Sequence, residues 1–285
     1  MRRLVLILTL TALLSGGSMM LAGGCGPGGK VDTGSLIRGG GTLLQSQTLT
    51  PRQEKVLGQT VAVQLTNRYP LLYDDPLTDY VSKVGLCVAS GVGKTENVRF
   101  IFGVLDTPQV GAWAGPTGYI LITRGALAMM RDESELAGVL AHEMAHAVKR
   151  HGVEQFKQAG LMSGLADVGR GLAGGGENAQ FINSMAAGAD LIVSKPYSRQ
   201  NESEADAEAV KFLVRSGYSP KGLLTFLKRL QQTQGREDGG GQMFSTHPGL
   251  SDRIAAIGSQ ISRGGYAPGA VNKGRFISNT ARIRA

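Results

Sequence analysis

Apolar positions along the chain change their period several times, and each change marks an element. The first run, "LVLILTLTALL" (residues 4–14), is continuous; at about eleven residues it is too short to span a bilayer comfortably. Residues 26–48 show no hydrophobic period and read as a tether. From Thr50 the pattern turns helical: Thr50 stands where an N-cap belongs and Pro51 at the first helical position, with Val56, Val63 and Leu65 among the apolar residues that follow. "DPLTDYVSKVGLCVAS" (75–90) predicts a second helix. "VRFIFGVLD" (98–106) alternates as a strand does, and "YILIT" (119–123) predicts another. Between them "TPQVGAWAGPTG" carries turn residues around a short extended piece. In "RDESELAGVL" (131–140), Asp132 and Glu135 have the spacing of a capping box, and Leu136, Val139 and Leu140 begin an apolar face. Helices are expected at 200–216, ended by Gly217, at 220–234, opened by Pro220, and at 249–261. Many helices and few strands make an α+β chain.

A length of 285 residues suits one large domain with extensions. The 42 glycines gather in "GGCGPGGK", "RGGGT", "GLAGGGEN" and "EDGGGQ", which read as flexible connections; the 160–180 stretch is expected to act as a lid between two helices. Arg2 and Arg3, the apolar run and the small residues before Cys25 compose an export signal. "LAGGC" resembles a bacterial lipobox, in which Cys25 would be lipidated and become the first mature residue; the alternative is a plain cleaved signal with an incidental cysteine. The lipoprotein reading is adopted here. Gly26, where an inner-membrane retention signal would have aspartate, points to the outer membrane. Removing residues 1–24 takes away two arginines and no acid, so the net charge of +8 becomes +6. After Asp252 there are six basic residues and no acidic one, a tail that is either solvated or laid on an anionic membrane surface. No nucleic-acid module is recognisable. With Cys25 modified, Cys87 has no disulfide partner, and its apolar neighbours predict a buried helical cysteine.

Chemistry concentrates in "GVLAHEMAHAVKRH" (138–151), which holds three of the four histidines. His142 and His146, four apart, differ by about 40° around a helix and share a face. Two imidazoles so placed can hold one Zn²⁺, and Glu143, about 100° round, can reach a water on the open coordination position. His151 lies about 140° from His146 on a straight helix, and is expected to cap or pack near the helix end rather than bind metal. "YSRQNESEADAEAV" supplies Glu202 and Asp206, again spaced i, i+4. One of these carboxylates could complete a zinc shell while the other supports a ligand histidine; the alternative is a solvated acidic face. Glu204 should face elsewhere.

These stretches together resemble the zinc metallopeptidases of the HtpX-like and CAAX-prenyl-protease type, peptidase family M48, especially their exported bacterial branch. The resemblance runs from about Thr50 to Ile257 through "DDPLTDYV", "GYILITRGAL", "ESELAGVLAHEMAH", "YSRQNESEAD" and "STHPGLSDRI", in the family's order. It implies a mainly helical gluzincin-type α+β domain with a small β-sheet beside the zinc helix. It also implies one Zn²⁺ per chain on His142, His146 and Glu202, Glu143 as general base, and Asp206 in a supporting or proton-donating role. His247, in "STHPGLSDR", has three readings: a donor to the oxyanion formed when water attacks a peptide carbonyl, a fourth zinc ligand that holds the enzyme latent, or a loop histidine without a catalytic part. Arg253 is expected to pair with a carboxylate near the site. The family usually has asparagine in the strand beside the active site, where this chain has Gly111 in "VGAWAGPTGYI"; that strand is expected to bind substrate backbone by strand addition. Trp113 either lines this groove or fills core.

The expected organisation is a signal peptide (1–24), lipidated Cys25 with its tether (25–48), a metallopeptidase domain (49–262) and a basic tail (263–285). Its expected activity is endopeptidase cleavage of unfolded or misassembled proteins at the periplasmic face of the outer membrane. A largely latent peptide-binding chaperone is the alternative.

Overall fold

The structure, a computed structural model, describes residues 48–162, 177–233 and 241–284. Helix α1 (Pro51–Arg68) starts as its sequence dictates. The Thr50 hydroxyl accepts from the Gln53 amide while the Gln53 side chain returns to the Thr50 N–H, a complete capping box with Pro51 in the first turn. Its buried stripe is Leu57, Val61 and Leu65, whereas Val63 stands 52% exposed. Helix α2 (Asp75–Val92) is capped by Asp74 and buries Leu77, Tyr80, Val81, Val84 and Val88. Cys87 lies one position off that stripe and is exposed, not buried as expected. Apolar neighbours in sequence do not bury a helical residue that points the other way.

Three strands, β1 (Ile101–Leu105), β2 (Ala112–Gly115) and β3 (Tyr119–Thr123), form a sheet in the order β1-β3-β2. β3 is parallel to β1 and antiparallel to β2. Period-2 alternation divides the sheet between two cores. Val104, Ala112, Ala114, Ile120 and Ile122 belong to the larger core, whereas Leu105, Trp113 and Leu121 belong to the smaller. Short α3 (Arg124–Met129) then leads to α4 (Glu133–Val148), which packs on α2 and β2. Every residue of α4 from Glu133 to Ala147 is buried. A helix buried all round belongs at the centre of a domain, where it is held on several sides.

Asp132 caps α4 by accepting from the Glu135 amide at 3.1 Å. The return half of the expected box is missing: the Glu135 carboxylate accepts from the Arg131 amide and from Arg229 instead. Arg150 then takes a left-handed conformation (φ 59°, ψ 31°) and starts a separate helix, α5 (His151–Gln158). Helix α6 (Glu177–Ser194), for which the sequence analysis assigned no element, packs on α1 and α5 through Met185, Ala189, Ile192 and Val193. Of the expected lid at 160–180, residues 160–162 form a turn after α5 and 177–180 begin α6, whereas 163–176 fall outside the described residues. Trp113 fills core here: its Nε1 donates to the Val193 carbonyl at 3.3 Å and its ring stacks on Tyr69.

Helices α7 (Arg199–Arg215) and α8 (Gly222–Gln232) pack on α4. The α4–α8 crossing is close enough to demand glycine. A Cβ on Gly138 would meet the Leu223 amide nitrogen at 2.3 Å, and one on Gly222 the Ser134 carbonyl at 1.9 Å. The chain continues through α9 (Gly241–Thr246) and α10 (Leu250–Gly264) to α11 (Lys273–Thr280).

The expected basic tail keeps its basic side chains largely exposed but docks on the domain at a few points. Phe276 is fully buried, and Arg275 and Asn272 bond the carboxylate of Glu133, itself fully buried and also bonded by Tyr80 and Tyr218. The Val271 carbonyl accepts from the Glu133 and Ser134 amides, satisfying donors that a helix N-terminus leaves free. No helix among the described residues is long and apolar enough to cross a membrane.

Candidate metal centre

α4 carries His142, Glu143 and His146 on its C-terminal half, and α7 carries Glu202 and Asp206 on its N-terminal half. Both helices bring fully buried alanines to the core: Ala141 and Ala145 on α4, Ala205 and Ala209 on α7. Small side chains let helix backbones approach, which brings the polar residues between them together. Ser198 caps α7, accepting from the Asn201 amide, so Glu202 falls in its first turn.

The ring nitrogens converge. His142 Nε2 is 3.0 Å from His146 Nε2 and 3.5 Å from Glu202 Oε2; His146 Nε2 is 3.4 Å from Glu202 Oε1. His247, on the loop after α9, joins them with its Nδ1 2.9 Å from Glu202 Oε1 and 3.3 Å from His142 Nε2. Each of His142, His146, Glu202 and His247 is buried and offers one donor atom, and the four atoms lie within 4.8 Å of one another. Ligand atoms bound tetrahedrally at about 2.0–2.1 Å are about 3.3 Å apart, so this spacing suits a zinc-sized ion.

Charge points the same way. The buried carboxyl groups of Glu143, Glu202 and Asp206 face the guanidinium of Arg253, the one buried arginine among the described residues, and leave an excess of negative charge that a divalent cation would balance. Arg253 grips Asp206 with two parallel bonds of 2.8 Å and reaches Glu202 at 2.7 Å, the pairing expected from the sequence. Burial would raise both acids, but Arg253 holds Asp206 below the usual carboxylate range, and His247 with Arg253 holds Glu202 well below it. Burial and Arg253 would lower His142, but Asp206 and Glu202 outweigh them and raise it to about 9. A cation is favoured at this point. For His146 burial wins and favours the neutral ring, the form that binds metal.

Glu143 differs from its neighbours. Neither of its oxygens has a hydrogen-bond partner among the described residues, and the nearest basic group, His247 Nε2, is 3.5 Å away. Burial pushes its carboxyl up. An unpartnered buried carboxylate beside a metal-ligand group is placed to accept a proton. Asp206 instead spends both oxygens on Arg253, and its Oδ1 also lies 2.9 Å from His142 Nδ1, a place from which a carboxylate can orient that ring. Glu204 points outward to Lys149, as expected.

One residue of the site escaped the sequence analysis, and another lies closer to it than a straight helix implies. Tyr197, just before α7, lays its ring on His146, with centroids 4.1 Å apart and planes at 17°. It stands in the "YSRQNESEAD" stretch, whose acids drew attention away from it. His151 does not point away from the site. The break at Arg150 returns it to His146, with the two Nδ1 atoms 2.9 Å apart. As expected it packs near the end of α4 and is not among the grouped donor atoms; its contact with His146 was not legible, because no glycine or proline announced the break.

Residues 78–261, which include both α4 and α7, match the model of "Peptidase family M48". The chain belongs to that family. M48 metallopeptidases use zinc, and the buried donors described above suit it. The chain is 28% identical over 223 residues to the "Beta-barrel assembly-enhancing protease" of Yersinia pestis, covering 73% of this chain and 44% of that one. It thus spans less than half the length of that relative. It is 26% identical over 238 residues to "Metalloprotease LoiP" of Escherichia coli, covering 83% of this chain and 91% of that protein. With "Metalloprotease YcaL" of Escherichia coli it shares 26% over 253 residues, 87% and 95% of the two chains.

Proposed function

We propose that the protein is a zinc-dependent endopeptidase of the cell envelope that cleaves unfolded or misassembled proteins, anchored at the periplasmic face of the outer membrane through a lipid on Cys25. The observation that carries the activity is the unpartnered, buried Glu143 beside the convergent donors of His142, His146 and Glu202. Zinc bound there would supply a water of lowered pKa and polarise a peptide carbonyl. The chain's own residues do the rest. Glu143 takes a proton from the attacking water and passes it to the leaving amine. Asp206 keeps His142 oriented, and Arg253 holds both α7 carboxylates in place while balancing part of their charge. β2, an edge strand packed against α4, is the candidate site for substrate backbone. The envelope setting is supported by the export signal and by the name of the Yersinia pestis relative; β-barrel precursors are the substrate class that name suggests.

Casein cleavage by the mature protein, with zinc measured alongside, tests the activity. Glu143→Gln should abolish cleavage and keep zinc. Glu202→Ala should lose zinc, whereas Glu204→Ala should still load at saturating zinc. Cleavage that survives Glu143→Gln, or equal zinc loss in both alanine variants, would overturn these assignments.

The latent-chaperone reading is favoured by one observation: the centre is closed. His142, Glu143, His146, Glu202 and His247 are all buried, and the Tyr197 ring lies against His146 and His247, its backbone N–H donating to the Thr246 carbonyl. A zinc-loaded wild type that binds unfolded protein without cleaving it would decide for that reading.

A further inference from the structure

His151 is held by contacts that only the folded chain creates. It is buried at the start of α5, and its two ring nitrogens face different neighbours. Nδ1 is 2.9 Å from His146 Nδ1, the nitrogen of His146 turned away from the metal-ligand group. Nε2 is 3.5 Å from Glu204 Oε2, and Lys149 Nζ lies 2.8 Å from the other Glu204 oxygen. The two imidazoles cross at 73° with centroids 4.9 Å apart, edge-on rather than stacked. Two imidazole nitrogens at 2.9 Å share one hydrogen; one donates and the other accepts.

Binding chemistry decides which. If His146 gives Nε2 to a metal, its own hydrogen is on Nδ1 and His151 Nδ1 must accept it. A neutral His151 then carries its hydrogen on Nε2, facing the Glu204 carboxylate. Each group in the row from His146 through His151 and Glu204 to Lys149 so meets a complementary one. His142 has Asp206 directly behind it. His146 has no carboxylate at that place, and His151 extends its reach to one at the surface.

We propose that His151 is a positioning residue for His146: it sets the tautomer and ring orientation of that ligand, with Glu204 and Lys149 fixing its own tautomer from outside. The inference rests on His146 being a zinc ligand. Partners of this kind typically change metal affinity by roughly 10–100-fold when removed.

Zinc affinity by competition with a chromophoric chelator tests it, on the purified full chain and its His151→Leu, His151→Asn and Glu204→Gln variants. Leucine fills the space without an acceptor; the asparagine oxygen can stand near the Nδ1 position and accept. Expected are a zinc dissociation constant raised roughly 10–100-fold in His151→Leu, a value near wild type in His151→Asn, and a smaller weakening in Glu204→Gln. The cobalt-substituted His151→Leu protein should also show a shifted visible spectrum. Unchanged affinity in His151→Leu overturns the proposal. Equal losses in the leucine and asparagine variants overturn it too, because they mean packing alone. Glu204→Gln carries a partly exposed change that folding should tolerate, and wild-type affinity there removes Glu204 from the relay. A wild type that binds no zinc overturns the metal reading itself, and is distinguished because it fails without any substitution.

Discussion

His247 is the residue whose neighbours narrow its role most. Its Nδ1 sits among the ligand atoms, while its Nε2 is the group nearest to the unpartnered Glu143. One ring therefore faces both the place a fourth ligand would take and the base that needs free access to water. The two functional readings predict opposite results for His247→Ala. A ligand that blocks the open position, once removed, should let turnover of a small unstructured peptide rise. A donor to the oxyanion should, when lost, lower turnover on the order of 10²–10³ at full zinc occupancy. This geometry favours the first. Peptide kinetics with zinc content measured in parallel separate them: a fall at full occupancy sinks the latch, a rise sinks the donor, and no change leaves His247 without a catalytic part.

Elements are joined by polar clasps at points where the apolar pattern is silent. The N-terminus of α4 is clasped by the segment leading into α11: Val271 satisfies its amides, and Glu133 collects Arg275, Tyr218, Asn272 and Tyr80. Burial alone would raise the Glu133 pKa, but these four partners outweigh it and lower it below its ordinary 4.5. A carboxyl with a depressed folded pKa stabilises the fold above its unfolded pKa and loses that contribution as pH falls through the folded value. Glu133→Gln should therefore cost on the order of 1–3 kcal/mol near pH 7, where charge-assisted bonds are lost. The gap from wild type should shrink as pH drops below about 4.5, where the unfolded carboxyl starts to hold its proton. Thermal melts of both proteins between pH 7 and pH 3 check this; a gap of constant size would show that the Glu133 charge contributes nothing. The clasp also explains why a stretch rich in basic residues is not a free tail: Arg275 answers a buried carboxylate 142 positions away.

For the whole molecule, the described residues belong to one compact unit, and the site lies where α4, α7 and the segments flanking α9 and α10 meet. Cys25 and the signal before it lie outside the described residues, so the anchor is a prediction from "LAGGC" alone. The mature protein should fractionate with membranes and carry an N-terminal acyl group by mass spectrometry, and Cys25→Ser should release it or block processing. A soluble wild type with an unmodified N-terminus would dispose of the lipoprotein reading.

The sequence by itself determined what depends on neighbours along the chain. The His142–Glu143–His146 spacing needs only a helix, and the cap at Thr50 needs only the four residues from Thr50 to Gln53. Strand β3 was legible because four apolar residues in a row, closed by a β-branched threonine and set between turn signals, have few other uses. Glu202 and Asp206 were legible as a pair, and the family resemblance told ligand from support. Tertiary structure decided whatever depends on which way a side chain turns or what lies across from it. Cys87 shares a helix with a buried stripe and points out of it. His151 reaches His146 only because Arg150 adopts a left-handed conformation that nothing in the local sequence requires. Helix α6 is held by Leu57, Phe156 and Trp113 from elsewhere in the chain. Arg275 and Glu133 read as ordinary surface charges until the chain is closed on itself. Local propensities act over a few residues, whereas burial and the pairing of buried charge are settled only by the assembled fold.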